Sequence, residues 1–420
     1  MLTPTIFLLD MDSYFASVEQ SVNPALRGKP VAVCGAPAQN DGTWKRTIIV
    51  TASYEARKYG IKTGTPVYEA KKLCPHLNLI AGNHEKYIDT SVGIQKILTD
   101  YTDQVEVYSI DECFMDVTDT AKLHTGGAVG MAKQIKQRIR EKYGITCSIG
   151  IGSNKVTAKL AAKFYKPDGL YELNDRDIPQ LFDVLPLSKL QGVGIGRQLE
   201  KKLNSLGINT AKQLGDTDES LLTHHFGILG HILKRIGQGR GDTVVRKYNT
   251  QTNIKSVGHS LTLPSDTCDL NIVNSYLLML SEKIAARLRK YGFFGRVVSL
   301  YIRYGDFTGF GQQHNTGGYI NTGHEIYGTA QKIFVKLLPL KKSVRLAGLS
   351  ISSLVKNNQT FLLEDINKTQ RLVSAIDGIN NKYGEFTLRP AMVALAEKFG
   401  KQENRCGLIG KHIFDSRRGK

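Results

Sequence analysis

The chain has 420 residues, 41% of them hydrophobic and 22% charged, which excludes a disordered polypeptide and leaves room for several folded domains. Its 56 Lys and Arg against 38 Asp and Glu give a formal net charge of +18, spread over the whole length, which favours a long polyanion as partner. The six cysteines (Cys34, Cys74, Cys113, Cys147, Cys268, Cys406) lack CxxC or metal-ligand spacing, so neither a disulfide framework nor a zinc site is expected, and a reducing, cytoplasmic compartment fits. The N-terminal apolar run is too short for a signal peptide, and nothing approaches a membrane span of about 20 apolar residues.

In chain order, "TPTIFLLDMDSYFASVEQSV" opens as a short apolar strand and turns into an amphipathic helix. "PVAVCG" and "TIIVTASYEARKYGI" read as two strands separated by the Gly-rich "GAPAQNDGTWKR", the second strand feeding a helix at "SYEARKYG". A helix over "EKYIDTSVGIQKILTDYT" leads to a strand pair around "VEVYSIDECFMDVT", and "AVGMAKQIKQRIREKYG" is a helix with a basic outer face. "ITCSIGIG" is a strand, and "SNKVTAKLAAKFYKPDG" is a helix with Ser153 as its expected N-cap, stopped by Pro167. Past about Asp175 come short helices with glycine turns, up to "GRGD" at 239–242. From Val244 to about Val355, strands such as "RVVSLYIRYG" and "VRLAGLSISSLV" alternate with the basic helix "LLMLSEKIAARLRKYG". The last stretch is polar, with one helix around "TQRLVSAIDGINNKYG".

The segment "VEVYSIDECFMDVT" sets Asp111 and Glu112 side by side in an apolar run, with Asp116 shortly after, although burying an unpaired carboxylate is costly. A regular strand would send the adjacent pair to opposite faces, so a turn or bulge at "SIDE" is needed to aim both at one point. A further acid, Asp10, ends a second apolar strand, with the Met11 carbonyl and Asp12 just beyond. If Asp10 lies beside the hairpin, three carboxylates converge and repel unless cations separate them. Mg²⁺ suits such a set, and two ions about 3.5–4 Å apart would clamp the attacking and leaving oxygens of a phosphoryl transfer. Taken alone, "DE" is equally an ordinary hairpin turn. Thr51, Tyr54 and Arg57, the last two on one helical face, and Lys166 as a point charge supply what a triphosphate needs. Singly, each also reads as a surface residue.

"LLDMDSYFASVEQ", "TASYEARKYGIKTGTP", "YSIDECFMDVT" and "GIGSNKVTAKLAAKFYKPDGL", followed by "LQGVGIGRQLEKKLNSLGI", occur in the order and spacing of the Y-family (translesion) DNA polymerases. The chain resembles that family from roughly Thr5 to Val355, and its little-finger and tail texture is most similar to the UmuC branch. The resemblance implies an α/β multidomain right-hand polymerase. Its parts would be an antiparallel palm sheet (1–13 and 84–175), small fingers (14–83), a helical helix-hairpin-helix thumb (176–243), an α+β little finger (244–355) and a tail (356–420).

It further implies that Asp10, Asp111, Glu112 and the Met11 carbonyl bind two Mg²⁺ ions, with Glu112 nearest the primer 3′-hydroxyl and Ser109 supporting the hairpin. Thr51, Tyr54, Arg57 and Lys166 would hold the dNTP triphosphate. Phe15 would lie under the sugar as the gate against a 2′-hydroxyl, Asp12 would buttress the loop, and Ile48 and Val50 would roof the templating base. Primer-template DNA would be held by Gly192 and Gly194, whose turn also reads as an ordinary glycine-broken hairpin, and by Lys283, Arg287, Arg289, Lys290 and Arg303 through phosphates. A dinucleotide-binding loop is not expected, because the GxGxxG spacing fails at Arg197. "QTFLL", with Gln359, Leu362 and Leu363, resembles a sliding-clamp peptide; an apolar patch packed on the protein's own surface is the other reading. The implied partners are primer-template DNA, dNTPs, a sliding clamp, and UmuD-like or recombinase-filament accessory proteins. The implied activity is low-fidelity lesion bypass in an SOS-type damage response, without proofreading. A DNA-binding regulator lacking turnover is opposed by the intact acids and Arg57, and a nucleotidyl cyclase by the thumb-like hairpin.

Overall fold

Strict alternation of side chains builds the first sheet of the computed structural model, which describes residues 3–35, 44, 46–248, 250, 254–356 and 364–400. These fall into two units, one taking 3–35 and 47–250, the other taking 44, 46, 254–356 and 364–400. In the first unit the strands are β1 (Ile6–Met11), β2 (Val31–Cys34), β3 (Ile49–Ala52), β4 (Asn78–Ala81), β5 (Val105–Val107), β6 (Glu112–Asp116), β7 (Cys147–Gly152) and β8 (Leu170–Glu172). The main sheet runs β5-β6-β1-β7-β8, antiparallel throughout except for the parallel β7–β8 edge.

One face of this sheet carries Phe7, Leu9, Met11, Cys113, Met115, Ile149 and Ile151 into a core shared with the helices Tyr14–Val22, His84–Leu98 and Gly127–Tyr143. The other face carries Ile6, Leu8 and Phe114, which pack against Ala158 and Ala162 of the helix Lys155–Phe164. By the same alternation Asp10, Glu112 and Glu106 fall on that second face. Opposite Leu8 and Ile6, β7 presents Gly150 and Gly152. A Cβ at Gly150 would lie 2.2 Å from Ala158 O and Ala162 N, and one at Gly152 would lie 2.4 Å from Thr157 Oγ1. The glycines therefore let the helix rest directly on the strand.

That helix starts at Asn154, not Ser153: the Asn154 side chain accepts from Val156 N and Thr157 N, and Thr157 closes a capping box. Ser153 instead donates to Asp175 Oδ1. A second, three-stranded sheet, β3-β2-β4, pairs β2 antiparallel with β3 and parallel with β4. The helix expected over "SYEARKYG" is one turn, Tyr54–Arg57, capped by Ser53. Short helices between Ile178 and Gly237 share a separate apolar core of Leu187, Leu190, Leu203, Leu214 and Leu233. Gly192 (φ +81°) and Gly194 (φ +107°) make the turn before the helix Arg197–Ser205, in a region of backbone space that disfavours larger residues.

The second unit is a five-stranded antiparallel sheet built from β9 (Ser256–Thr267), β10 (Phe293–Tyr304), β11 (Gly309–Ile320) and β12 (Val344–Ser352), in the order β11-β10-β12-β9, with the short β13 (Val355–Lys356) also pairing with β10. Helices Leu270–Lys290 and Gly323–Phe334 supply its apolar layer. The expected boundary at 244 shifts: residues 244–248 stay with the first unit, where Val245 packs with Ile6 and Leu8. The expected tail also contributes to the second unit's core, through Phe386, Val393 and Ala396, with Tyr276 donating to Ala396 O at 3.1 Å. Among the described residues, no helix is long and apolar enough to cross a membrane.

Candidate active site

The acids meet at the end of β1 and β6. Asp10 and Glu112 are direct register partners, and Met11 N donates to Asp111 O at 2.9 Å. The "SIDE" segment is a turn: Tyr108 N and Ser109 N both donate to Glu112 O, so Asp111 precedes the strand and escapes its alternation. Ser109 Oγ donates to Asp111 Oδ1. Like charges placed directly opposite one another destabilise a sheet, and here lysines from the facing helix and its exit offset them. Lys159 pairs with Glu112 at 2.8 Å and Lys166 pairs with Asp10.

Burial pushes the Asp10 carboxyl up to about 7; Lys166 draws it back, while Glu112 and Asp111 press it further up. Asp111 is likewise raised, first by burial and then by Glu112, against the Ser109 hydroxyl that lowers it. With these side chains engaged as they are, no three His, Cys, Asp or Glu among the described residues form a group able to hold a metal ion. The donor chemistry nevertheless fits hard cations: carboxylate oxygens and a main-chain carbonyl, at a spot where anionic charge is crowded and poorly solvated.

Asp12 points elsewhere. Its carboxylate is almost fully buried and accepts from Thr146 Oγ1 (2.9 Å), Ser148 Oγ (2.8 Å), Asp168 N (2.7 Å) and, more weakly, Tyr54 OH (3.5 Å). It thus ties β1 to β7 and to the turn that follows Lys166. Burial and the Asp12 charge push the Tyr54 phenol up to about 12. The Arg57 guanidinium lies 4.8 Å from the Tyr54 ring centroid and donates from Nε to Ala52 O, so the two residues do share a face. Thr51 lies on β3, opposite Val33, and Ile48 is 51% exposed beside that strand. The Phe15 ring stacks on Tyr87 with centroids 4.3 Å apart and planes 14° off parallel. Tyr87 is in turn fixed by donating to Glu19 Oε1 at 2.7 Å, while Tyr14 donates to the Tyr87 carbonyl.

Two residues that matter here escaped the sequence reading. Lys159 carried a signal in the lysine spacing of "KVTAKLAAKFYK", whereas Tyr87 carried none.

In the second unit the expected phosphate-binding cations divide. Arg289 is held within the protein: Nε and Nη2 are bidentate on Asp377 (2.6 and 2.7 Å) and Nη1 donates to Asn321 O, which commits three of its five N–H groups. Arg287 donates to Gly258 O, Lys283 pairs with the exposed Glu385 at 3.1 Å, and Arg303 Nε donates to Tyr301 OH. These last contacts are solvent-accessible and exchangeable. Gln359, Leu362 and Leu363 lie outside the described residues.

Residues 9–163 match the impB/mucB/samB family and residues 254–362 match the C-terminal domain of that family. The chain is 39% identical over 391 residues to DNA polymerase IV of Moorella thermoacetica, covering 92% of this chain and 96% of that one. A Y-family DNA polymerase chimera of Dbh and Dpo4 superposes with a TM-score of 0.74 at 26% identity, covering 84% of this chain and 100% of the chimera. The chain belongs to the Y-family DNA polymerases. This Y-family polymerase is also 35% identical over 390 residues to DNA polymerase IV 1 of Bacillus subtilis, covering 91% and 92% of the two chains. The insertion ternary complex of Dbh DNA polymerase matches at TM-score 0.54 and 26% identity, again over 84% of this chain and 100% of that one.

Proposed function

We propose that this Y-family member is a DNA-directed DNA polymerase that extends a primer with dNTPs across damaged template bases, at low fidelity and without proofreading. The observation that carries this is the meeting of Asp10, Asp111 and Glu112 at the end of two interior strands, beside an Arg, a Tyr and a Lys suited to a triphosphate. Two Mg²⁺ ions held by the three carboxylates and the Met11 carbonyl would lower the pKa of the primer hydroxyl and neutralise charge on the transferring phosphoryl group. Glu112 would lie nearest the primer 3′-hydroxyl. Arg57, Tyr54, Thr51 and Lys166 bind the triphosphate, which aligns the α-phosphorus without any covalent nucleophile. Phe15, immobilised by its stack on Tyr87, underlies the sugar and leaves no room for a 2′-hydroxyl. The Gly192–Gly194 turn and the accessible cations of the second unit grip phosphates irrespective of sequence.

The finger, palm and thumb assignments within the first unit belong to this reading, as do cytoplasmic residence, a role in the damage response and clamp docking through Gln359, Leu362 and Leu363. The relatives described above carry the name DNA polymerase IV, which supports that branch over the UmuC-like one. Primer extension on undamaged and lesion-bearing templates, with Asp111→Ala as control, tests the activity. Product formed equally by both proteins would remove the acids from the chemistry. Phe15→Ala is expected to raise ribonucleotide incorporation about a hundred-fold, measured as the ratio of kcat/KM for rNTP and dNTP; unchanged exclusion places the gate elsewhere.

A further inference from the structure

Lysines recur at 155, 159, 163 and 166, a spacing that lines one face of the helix Lys155–Phe164 and runs past its end. Three of them meet acids of the facing sheet one to one: Lys155 with Glu106 at 2.8 Å, Lys159 with Glu112 at 2.8 Å, and Lys166 with Asp10. The first rung is structural. Lys155 is also within 3.4 Å of Asp242, and Glu106 accepts from Arg246 N at 3.0 Å, so this pair fastens the 242–246 segment to the sheet.

The other two rungs differ, because their acids are those assigned to divalent cations. Lys159 has a second seat. Its ammonium lies 4.3 Å from the centroid of the Tyr108 ring, a cation–π contact it can keep without Glu112. Lys166 has a second task, the triphosphate. Lys163 pairs with neither acid: it donates to the Gln191 carbonyl and feels Glu112 and Asp10 only through space.

We propose that Lys159 and Lys166 are resident counter-ions of Glu112 and Asp10, neutralising the acids before divalent cations bind and withdrawing as they bind, which releases Lys166 to the incoming triphosphate. This rests on the metal-site reading given above. The lysines make the acid pair tolerable in the metal-free fold, and for the same reason they compete with the cations. Linkage then makes the coupling reciprocal: a triphosphate that draws Lys166 off Asp10 strengthens cation binding, and cation binding strengthens the grip of Lys166 on the triphosphate.

The test is a Mn²⁺ titration of the full chain without DNA or nucleotide, read by the electron paramagnetic resonance signal of free Mn²⁺. Lys159→Met and Lys166→Gln are each expected to bind Mn²⁺ roughly ten-fold more tightly than the parent, since each loses an adjacent competing cation. Lys166→Arg should stay near the parent value, and Lys163→Met should gain less than half as much. A merely structural role for the lysines predicts the opposite sign, weaker Mn²⁺ binding. Unchanged or weaker affinity in Lys159→Met and Lys166→Gln overturns the proposal, and so does an equal gain in Lys163→Met, which would reduce the effect to net charge. If Lys159→Met fails to fold, Lys166→Gln, at a more exposed side chain, decides alone. Asp111→Ala reports separately on the metal site: parent-like Mn²⁺ binding in that variant removes the site assignment itself, whatever the lysines do.

Discussion

The two units carry charge in different ways. In the first, acids and lysines face one another across a helix–sheet interface, partly or fully removed from water, and burial lifts the Asp10 carboxyl to about 7 and raises that of Asp111. In the second, Lys283, Arg287 and Arg303 make contacts that solvent can replace, whereas Arg289 is locked. Desolvated charge is specific and unforgiving, whereas solvated charge is additive and tolerant. The first arrangement suits chemistry at a point and the second suits holding a uniform polyanion.

The sharpest way to break this contrast is Asp111→Ala. Extension rate is expected to fall about a thousand-fold or more, with primer-template affinity within two-fold of the parent, measured by single-turnover extension and fluorescence anisotropy. A matched loss of DNA binding would show that the acids also shape the DNA grip. Next in size is Arg289→Ala, which leaves Asp377 without its partner. A stability loss of about 2 kcal/mol is expected in urea unfolding, with DNA affinity little changed. A large affinity loss without destabilisation would return Arg289 to the phosphate-binding set.

A pH series sharpens the first half of the comparison. Asp10 has a folded-state value of about 7 against an ordinary value near 4, so the folded chain binds the extra proton between those limits. In chelator, this group's contribution to stability should therefore decline as pH rises from about 4 to about 7 and level off above. Thermal melts of the parent and Asp10→Asn check it, and the variant should lack that decline. Smallest is Lys283→Ala, expected to lower the slope of log affinity against log salt by about one and to leave stability unchanged. An unaltered slope would mean that Glu385 holds this lysine away from the phosphates.

Much of the site was legible because its signals are local. Acids ending apolar strands, "SIDE" as a turn, and Tyr54 and Arg57 three residues apart on a helix can each be read within a few positions. The misses needed tertiary information. Arg289 reads as one of several basic residues at a helix end, and its partner Asp377 is 88 residues away. Strand β11, "GFGQQHNTGGYI", has little intrinsic β-propensity and forms because β10 pairs with it along Gly309–Asn315 and again at Ile320. Segment 364–400 looks polar in sequence, yet a few apolar residues, Phe386, Val393 and Ala396, anchor it in the second core. The lysine row was visible as a spacing, but its meaning depends on which sheet face the helix covers.

That last dependence traces to Gly150 and Gly152. With hydrogen atoms alone between strand and helix, the standoff of the whole lysine row is set by the backbones themselves. A methyl group at Gly150 would wedge against Ala158 and Ala162 and push the helix that carries Lys155 and Lys159 off the sheet that carries their acids, although it touches neither lysine. Specificity in this region can drift through the tips of side chains, while the spine beneath them has almost no freedom to move.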